Sequence, residues 1–198
     1  MNVAVLKYNA GNIRSVQIAL ERLGIVPMVT DDTETLLAAD RIIFPGVGEA
    51  SSAMHYLRER KLDLLLQDFK QPVLGICLGM QLMCSFSEEN DTTCLGIFKE
   101  RVRKFKASSQ NEKIPQIGWN VIEKLQSPLF DGIAPGAYCY FVHGYYADLG
   151  EHTIAETQYC GSYSSALHIR NYYGVQFHPE KSATIGSRIL ENFINIPG

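Results

Sequence analysis

Apolar residues in the first 76 positions form short uninterrupted runs, separated by stretches in which they recur every three or four residues. Residues 3–8, VAVLKY, read as a buried strand. Ile13, Val16, Gln17, Leu20 and Leu23 then repeat at helical spacing until Gly24 ends the pattern. Residues 25–30, IVPMVT, predict a second strand, DDTETLLAAD supplies acids suited to capping before a short helix, and RIIF at 41–44 is a third strand closed by Pro45-Gly46-Val47-Gly48. Residues 49–69 predict one or two helices. Pro72 opens a strand, PVLGI, and another helix starts at Cys77 and runs through Phe86. Strands alternating with helices in this way predict a parallel sheet covered on both faces.

The second half is patterned differently. LGIFKERVRKF, IPQIGWNVIEKL, YCYFVHGYYAD, TIAETQY, SALHIR and YYGVQF are mostly strand-like, before a closing helix in SATIGSRILENFIN. SEENDTT (87–93) and ASSQNEK (107–113) read as exposed polar loops. In the basic stretch Lys99 to Lys106, Val102 and Phe105 interleave the charges, as in a strand with one solvated side. The expected fold is therefore α/β and three-layered: a mostly parallel central sheet flanked by helices, with an additional mixed or antiparallel strand region. No repeat or low-complexity segment divides residues 1–198, which read as a single domain.

Composition narrows the function. A chain of 198 residues, 46% hydrophobic, is long enough to bury one substantial core. With 18 basic and 21 acidic residues and a net charge of −3, it lacks the broad positive surface that nucleic acid requires. The N-terminus has too few apolar residues for a signal-peptide core, and no apolar run approaches the ~20 residues of a membrane span, so neither export nor a membrane is expected. The five cysteines, Cys77, Cys84, Cys94, Cys139 and Cys160, are odd in number and form no C-x-x-C pair. That fits neither a disulfide framework nor a zinc site, and a reducing cytoplasm is the simplest setting.

One of these cysteines has a chemical context. Gly75-Ile76-Cys77-Leu78-Gly79 is a G-x-nucleophile-x-G pattern at the predicted strand-to-helix junction, where two glycines let the chain bend sharply between close neighbours. At such a bend the thiol points out of the carboxyl end of the sheet, near a helix N-terminus that favours thiolate. Cys84 returns to a similar side of the same helix and reads as core, and the other three cysteines have no comparable setting. A thiol needs a base, and His178 stands out among five histidines. It follows the strand YYGVQF, and Pro179 holds it extended, so that Glu180, two residues on, points the same way and can orient it. His143 and His168 lie in strands with no carboxylate two residues away; His55 and His152 read as surface residues. For an oxyanion, the Leu78 amide is one donor, and Gly46 and Val47, in a loop whose amides can approach a ligand, are candidates for the second.

Taken together, FPGVG (44–48), GICLGMQ (75–81) and FHPEKS (177–182) resemble the class I, or triad, glutamine amidotransferases over nearly the whole chain. Narrower features, YNAGNIRSV (8–16), IGWN (117–120), YFVHGYY (140–146) and the lysine after Glu180, are similar to the glutaminase subunits of imidazole glycerol phosphate synthases. The resemblance implies a flavodoxin-like fold, attack of Cys77 on the side-chain amide of glutamine, and completion of the triad by His178 and Glu180. It implies that Gln81 holds the substrate, that backbone groups of Gly144 and Tyr145 receive its amino-acid end, and that no metal or organic cofactor takes part. It further implies a separate (βα)8-barrel cyclase subunit as heterodimer partner, a barrel of roughly 250 residues that this chain is too short to contain. Asn12, Trp119, Asn120 and Lys181 match positions on or near the docking face. Gln116, Gly144 and Asn9 depart from residues usual in these subunits, none within the triad. A glutaminase for another synthase, a non-catalytic regulatory subunit of the same fold and a free-standing cysteine hydrolase of γ-glutamyl peptides are the competing readings.

Overall fold

The computed structural model describes residues 1–9, 12–107 and 112–197. The first half alternates as the apolar pattern requires: β1 (Val3–Leu6), α1 (Ile13–Arg22), β2 (Met28–Thr30), α2 (Thr33–Ala38), β3 (Arg41–Phe44), α3 (Ala50–Glu59), α4 (Leu62–Asp68), β4 (Val73–Ile76) and α5 (Leu78–Met83). The second half is mostly strand: β5 (Phe86–Ser87), β6 (Thr92–Thr93), β7 (Arg101–Lys104), β8 (Gln116–Ile122), β9 (Ala137–His143), β10 (Tyr145–Ala147), β11 (Thr153–Gln158), β12 (Ser162–Ile169) and β13 (Tyr172–Val175), followed by α6 (Ala183–Asn195).

Five strands, in the order β2-β1-β3-β4-β13, pair in parallel and form the centre of the large sheet. From β13 the sheet continues antiparallel through β12 and β10 to β7, with β11 on β12 and the short β5 and β6 at the far edge. The hairpin β8–β9 stands apart from it. Because successive strand residues point to opposite faces, β1 feeds two cores. Val3 and Val5 pack with Val16 and Leu20 of α1 and Ile189, Leu190 and Phe193 of α6. Ala4 and Leu6 pack with Leu36 of α2 and with apolar residues of α3, α4 and α5. These are the three layers expected of continuous apolar strands buried on both sides.

Several boundaries differ from the sequence reading, each for a local reason. Residues 25–27 do not join β2: the Ile25 N–H is tied to the Leu20 carbonyl at the end of α1, and Pro27 has no N–H to donate to a ladder. α5 stops at Met83 instead of reaching Phe86, because the Leu82, Met83 and Cys84 carbonyls accept N–H groups of Leu95, Phe98 and Gly96 from the following segment. Phe86 is thereby released to pair with Arg101 and Thr93. The stretch 87–93 is not an open loop, since Ser87 and Thr92 are buried and the Glu89 carboxylate accepts the Ala50 N–H at the start of α3. Part of the other expected loop, 107–113, lies outside the described residues. His152 is not a surface residue: it is buried, and its backbone N–H and ring Nδ1 both meet the buried Glu100 carboxylate, at 3.0 and 2.8 Å. Among the described residues no helix is long and apolar enough to cross a membrane.

Candidate active site

β4 runs straight into α5, and Cys77 is the hinge residue, with φ 54° and ψ −109°. That conformation is strained for any side chain larger than hydrogen and is kept only where its surroundings enforce it. The enforcing contacts are visible at Gly79. A Cβ there would lie 1.9 Å from the Phe44 carbonyl oxygen at the end of β3, so α5 leaves the bend with its backbone pressed on the neighbouring strand. Gly75 is similarly enclosed by Met83 and Met80. The glycines thus act both as packing joints and as the condition for the bend.

The sulfur faces a cavity of about 280 Å³, lined among others by Val47, Gly48, Leu78, Gln81, Glu89, Gly144, Tyr145, His178 and Lys181. The His178 ring lines the same cavity and interacts electrostatically with the Cys77 sulfur. Its Nδ1 lies 2.8 Å from Glu180 Oε1, the same oxygen that accepts the Asn12 side-chain amide. The structure thus brings Cys77, His178 and Glu180 to one place. Asn12, expected near a docking face, reaches the carboxylate itself. The Glu180 side chain is fully enclosed, and its second oxygen has no partner among the described residues.

His178 is fixed from three directions. Its backbone N–H donates to the Tyr140 carbonyl at 2.8 Å, its carbonyl accepts the Ser182 hydroxyl at 2.7 Å, and that hydroxyl accepts the Tyr140 N–H. Burial disfavours a charge on the ring, but the adjacent Cys77 sulfur and the Glu180 carboxylate outweigh it and raise the His178 pKa to about 10. The imidazolium is therefore present below that value and lost as pH rises through it. Glu180→Gln keeps the shape and removes one of the groups holding the proton, so the imidazolium is lost at lower pH. The expected result is an alkaline limb of kcat/KM displaced to lower pH, with turnover down about 10- to 100-fold. An unmoved pH profile would remove Glu180 from this role.

The other candidates are inert by comparison. Burial pushes the Cys94 and Cys139 thiols up to about 12 and holds Cys84 well above its ordinary value. His143 lines the cavity, but burial lowers it to about 4, so it stays neutral with Nδ1 held 2.7 Å from the Tyr145 carbonyl.

The oxyanion side departs from expectation. The Leu78 N–H does not face free space: it donates to the Gly46 carbonyl at 3.3 Å. The peptide between Gly46 and Val47 therefore presents an acceptor where a donor is wanted. The Tyr8 hydroxyl, buried and without a hydrogen-bond partner among the described residues, packs against Gly46.

A family model, that of class-I glutamine amidotransferases, matches residues 6–196. The chain belongs to the class-I glutamine amidotransferases. This amidotransferase is 54% identical over 196 residues to imidazole glycerol phosphate synthase subunit HisH of Bacteroides fragilis, a match covering 99% of this chain and 100% of the relative. The subunits of the same name from Bacteroides thetaiotaomicron and Vibrio cholerae are 50% and 43% identical, each over at least 98% of both chains. Solved structures of a glutamine amidotransferase and of PurLQS from Thermotoga maritima share its fold with TM-scores of 0.71 and 0.73 at 21% and 18% identity, covering 98% of this chain and 97% of theirs.

Other expected positions of the amidotransferase are distributed as follows. Gln81 is buried in the cavity wall, with its amide nitrogen on the Tyr145 carbonyl and on Gln176 Oε1. The Gly144 carbonyl accepts the Phe105 N–H. Trp119 is 53% exposed on β8, edge-on to Tyr140, and so is not part of its own core. Asn120 is engaged within the chain, donating to the Gln158 carbonyl. Lys181 is exposed at the cavity mouth. Glu89, Ser182 and Gln176 were not singled out from sequence. Glu89 sits in a polar stretch with no motif, whereas Gln176 and Ser182 lie one and two residues outside FHPE. Among the described residues no group of three or more His, Cys, Asp or Glu side chains could hold a metal ion.

Proposed function

We propose that this chain is the glutaminase subunit of imidazole glycerol phosphate synthase, hydrolysing glutamine to glutamate and ammonia in histidine biosynthesis, with residues 1–198 acting as one unit in the cytoplasm. The observation that carries the reading is the convergence of Cys77, on a strained bend, with His178 and its hydrogen-bonded Glu180 at one cavity of about 280 Å³. Relatives at 43–54% identity over the whole length carry that subunit name.

The chemistry follows from the groups present. The Cys77 thiolate attacks the side-chain carboxamide carbon, His178 delivers its proton to the departing nitrogen, and ammonia leaves as the C–N bond breaks and a γ-glutamyl thioester remains. Neutral His178 then takes a proton from water, which cleaves the thioester and releases glutamate. Glu180 holds His178 in the tautomer that does this. In the cavity, the Glu89 carboxylate suits the α-ammonium group of glutamine and Lys181 its carboxylate. The Tyr145 carbonyl is already engaged, so contacts of Gly144 and Tyr145 with that carboxylate run through N–H groups.

Both tetrahedral steps need donors at the oxyanion. With the Gly46 carbonyl on the Leu78 N–H, the seat is closed in this conformation. Rotation of the Gly46–Val47 peptide would free the Leu78 N–H and turn the Val47 N–H inward. One donor of this kind is worth about 10²- to 10³-fold in rate. The partner, a (βα)8-barrel cyclase that consumes the ammonia, is the natural driver of that rotation. The test is glutamate release by the subunit alone, with the barrel subunit, and with the barrel carrying its nucleotide substrate. A rise of at least about 10²-fold along that series is expected; full turnover by the isolated subunit would overturn the coupling and favour a free-standing hydrolase.

Trp119 is the best docking anchor, a large exposed aromatic on the hairpin whose other strand carries Tyr140, the backbone partner of His178. Trp119→Ala is expected to weaken binding of the barrel subunit at least about 30-fold by titration calorimetry, as a buried aromatic anchor would. Its thermal midpoint should not move. Unchanged affinity would place the interface elsewhere.

A further inference from the structure

Gln176 lies between the last residue of β13 and the FHPE segment, with no part of it exposed. Its backbone N–H is fixed to the Ser165 carbonyl at 2.9 Å. Its side chain touches two groups of the site. Oε1 accepts from Gln81 Nε2 at 2.8 Å, and Nε2 donates to the Cys77 sulfur at 3.6 Å.

The direction of this chain of amides is not arbitrary. The Tyr145 carbonyl can only accept, so at 2.9 Å it requires the nitrogen of Gln81 rather than the oxygen. Gln81 Nε2 in turn requires an oxygen from Gln176. That leaves the Gln176 nitrogen, a donor, facing the sulfur. The sulfur's other neighbours make such a donor matter: the Val142 carbonyl, 3.8 Å away, can accept from a thiol but only repels a thiolate, so before attack the groups that favour the thiolate are His178 and Gln176. Of the two, only His178 gives its proton away in the reaction; the amide N–H of Gln176 stays a donor throughout.

We propose that Gln176 is a positioning residue for the reaction. Its N–H holds the Cys77 sulfur as an oriented thiolate, and its carbonyl, through Gln81 and Tyr145, ties that orientation to the wall that receives glutamine. The same chain leaves Gln81 Oε1 as the only atom Gln81 can offer a ligand, so Gln81 recognises a donor on the substrate. The proposal rests on Cys77 being the nucleophile.

Two variants separate the two ends of the amide. Gln176→Met removes both hydrogen bonds while keeping an unbranched side chain of similar length. Gln176→Glu keeps an oxygen for Gln81 but sets a carboxylate beside the sulfur. In the assembled complex, the pH dependence of Cys77 alkylation by iodoacetamide, followed on the Cys77 peptide by mass spectrometry, should shift upward in both. The shift should be about one unit in the Met variant, a tenfold change, and larger in the Glu variant. Glutaminase kcat should fall about 10- to 100-fold, with KM for glutamine rising in the Met variant and changing less than about threefold in the Glu variant. If Gln176 only fills space, the Met variant loses thermal stability while its alkylation midpoint stays at the wild-type pH, and the proposal is overturned, since the Glu variant's added charge would move the midpoint in either case. If the Met variant does not fold, Gln176→Leu, which also removes both hydrogen bonds, decides by the same measurement. Retained activity in a Cys77→Ala enzyme would instead sink the nucleophile assignment, an outcome the alkylation profile does not mimic.

Discussion

Cys77→Ala is expected to abolish glutamate release, by about 10⁴-fold or more, since loss of a nucleophile leaves only what binding and the remaining dipoles supply. The fold should survive. Cys77 is 6% exposed, and alanine removes one atom from a residue whose backbone bonds to Val175 and Gln81 stay in place. Its strained φ of 54° is no harder for alanine than for cysteine. The decisive companion measurement uses the assembled synthase supplied with ammonium salt in place of glutamine. The barrel reaction should then proceed at wild-type rate, because only the generation of ammonia is lost. A variant that still hydrolyses glutamine when stimulated by the partner would refute the thioester route, whatever its other properties.

Gly79→Ala is expected to have the largest effect on the fold itself. The new Cβ would sit 1.9 Å from the Phe44 carbonyl oxygen, with the Phe44 carbonyl carbon at 2.9 Å. These are backbone atoms of a central strand and cannot swing aside as a side chain would, so α5 must back away from β3. The expected loss is more than about 3 kcal/mol of stability, beyond ordinary overpacking, read as a lower denaturant midpoint at unchanged slope. Activity should vanish even where the protein remains folded, since retreat of α5 moves Cys77 and the Leu78 amide together. Gly144→Ala is the control: its Cβ would come no nearer than 3.8 Å to Pro115, an ordinary contact. Equal tolerance of both substitutions would mean that the elbow is not held by this close approach.

The parts of the protein legible in its sequence are those in which one short segment carries its own constraint. Glycines two residues either side of a cysteine, at the end of an apolar run, leave few alternatives to a strand-to-helix bend, and that bend is found with the thiol on the cavity. His178 and Glu180 could be paired because proline fixes the backbone between them. The parallel half of the sheet followed from apolar runs with no polar face. Groups joined only by the fold were not legible. Glu89 looks like a loop acid until α3 places the Ala50 N–H against it, and His152 looks like a surface residue until Glu100 reaches it across 52 positions. The end of α5 is not legible because the carbonyls that terminate it are claimed by Leu95, Gly96 and Phe98, which the helix pattern does not contain. The orientation of the Gly46–Val47 peptide leaves no trace in composition at all, since a glycine permits either direction equally.

That peptide has a consequence for the cell's nitrogen economy. Glutamine is a shared currency of many syntheses, and a glutaminase that ran without its consumer would drain it as free ammonium. On the proposed coupling, with the Gly46 carbonyl seated on the Leu78 amide, copies of this subunit made in excess of its partner would stand idle in a full glutamine pool. Production of the two chains would then need no strict stoichiometric match, with the brake on waste carried by the orientation of one peptide group.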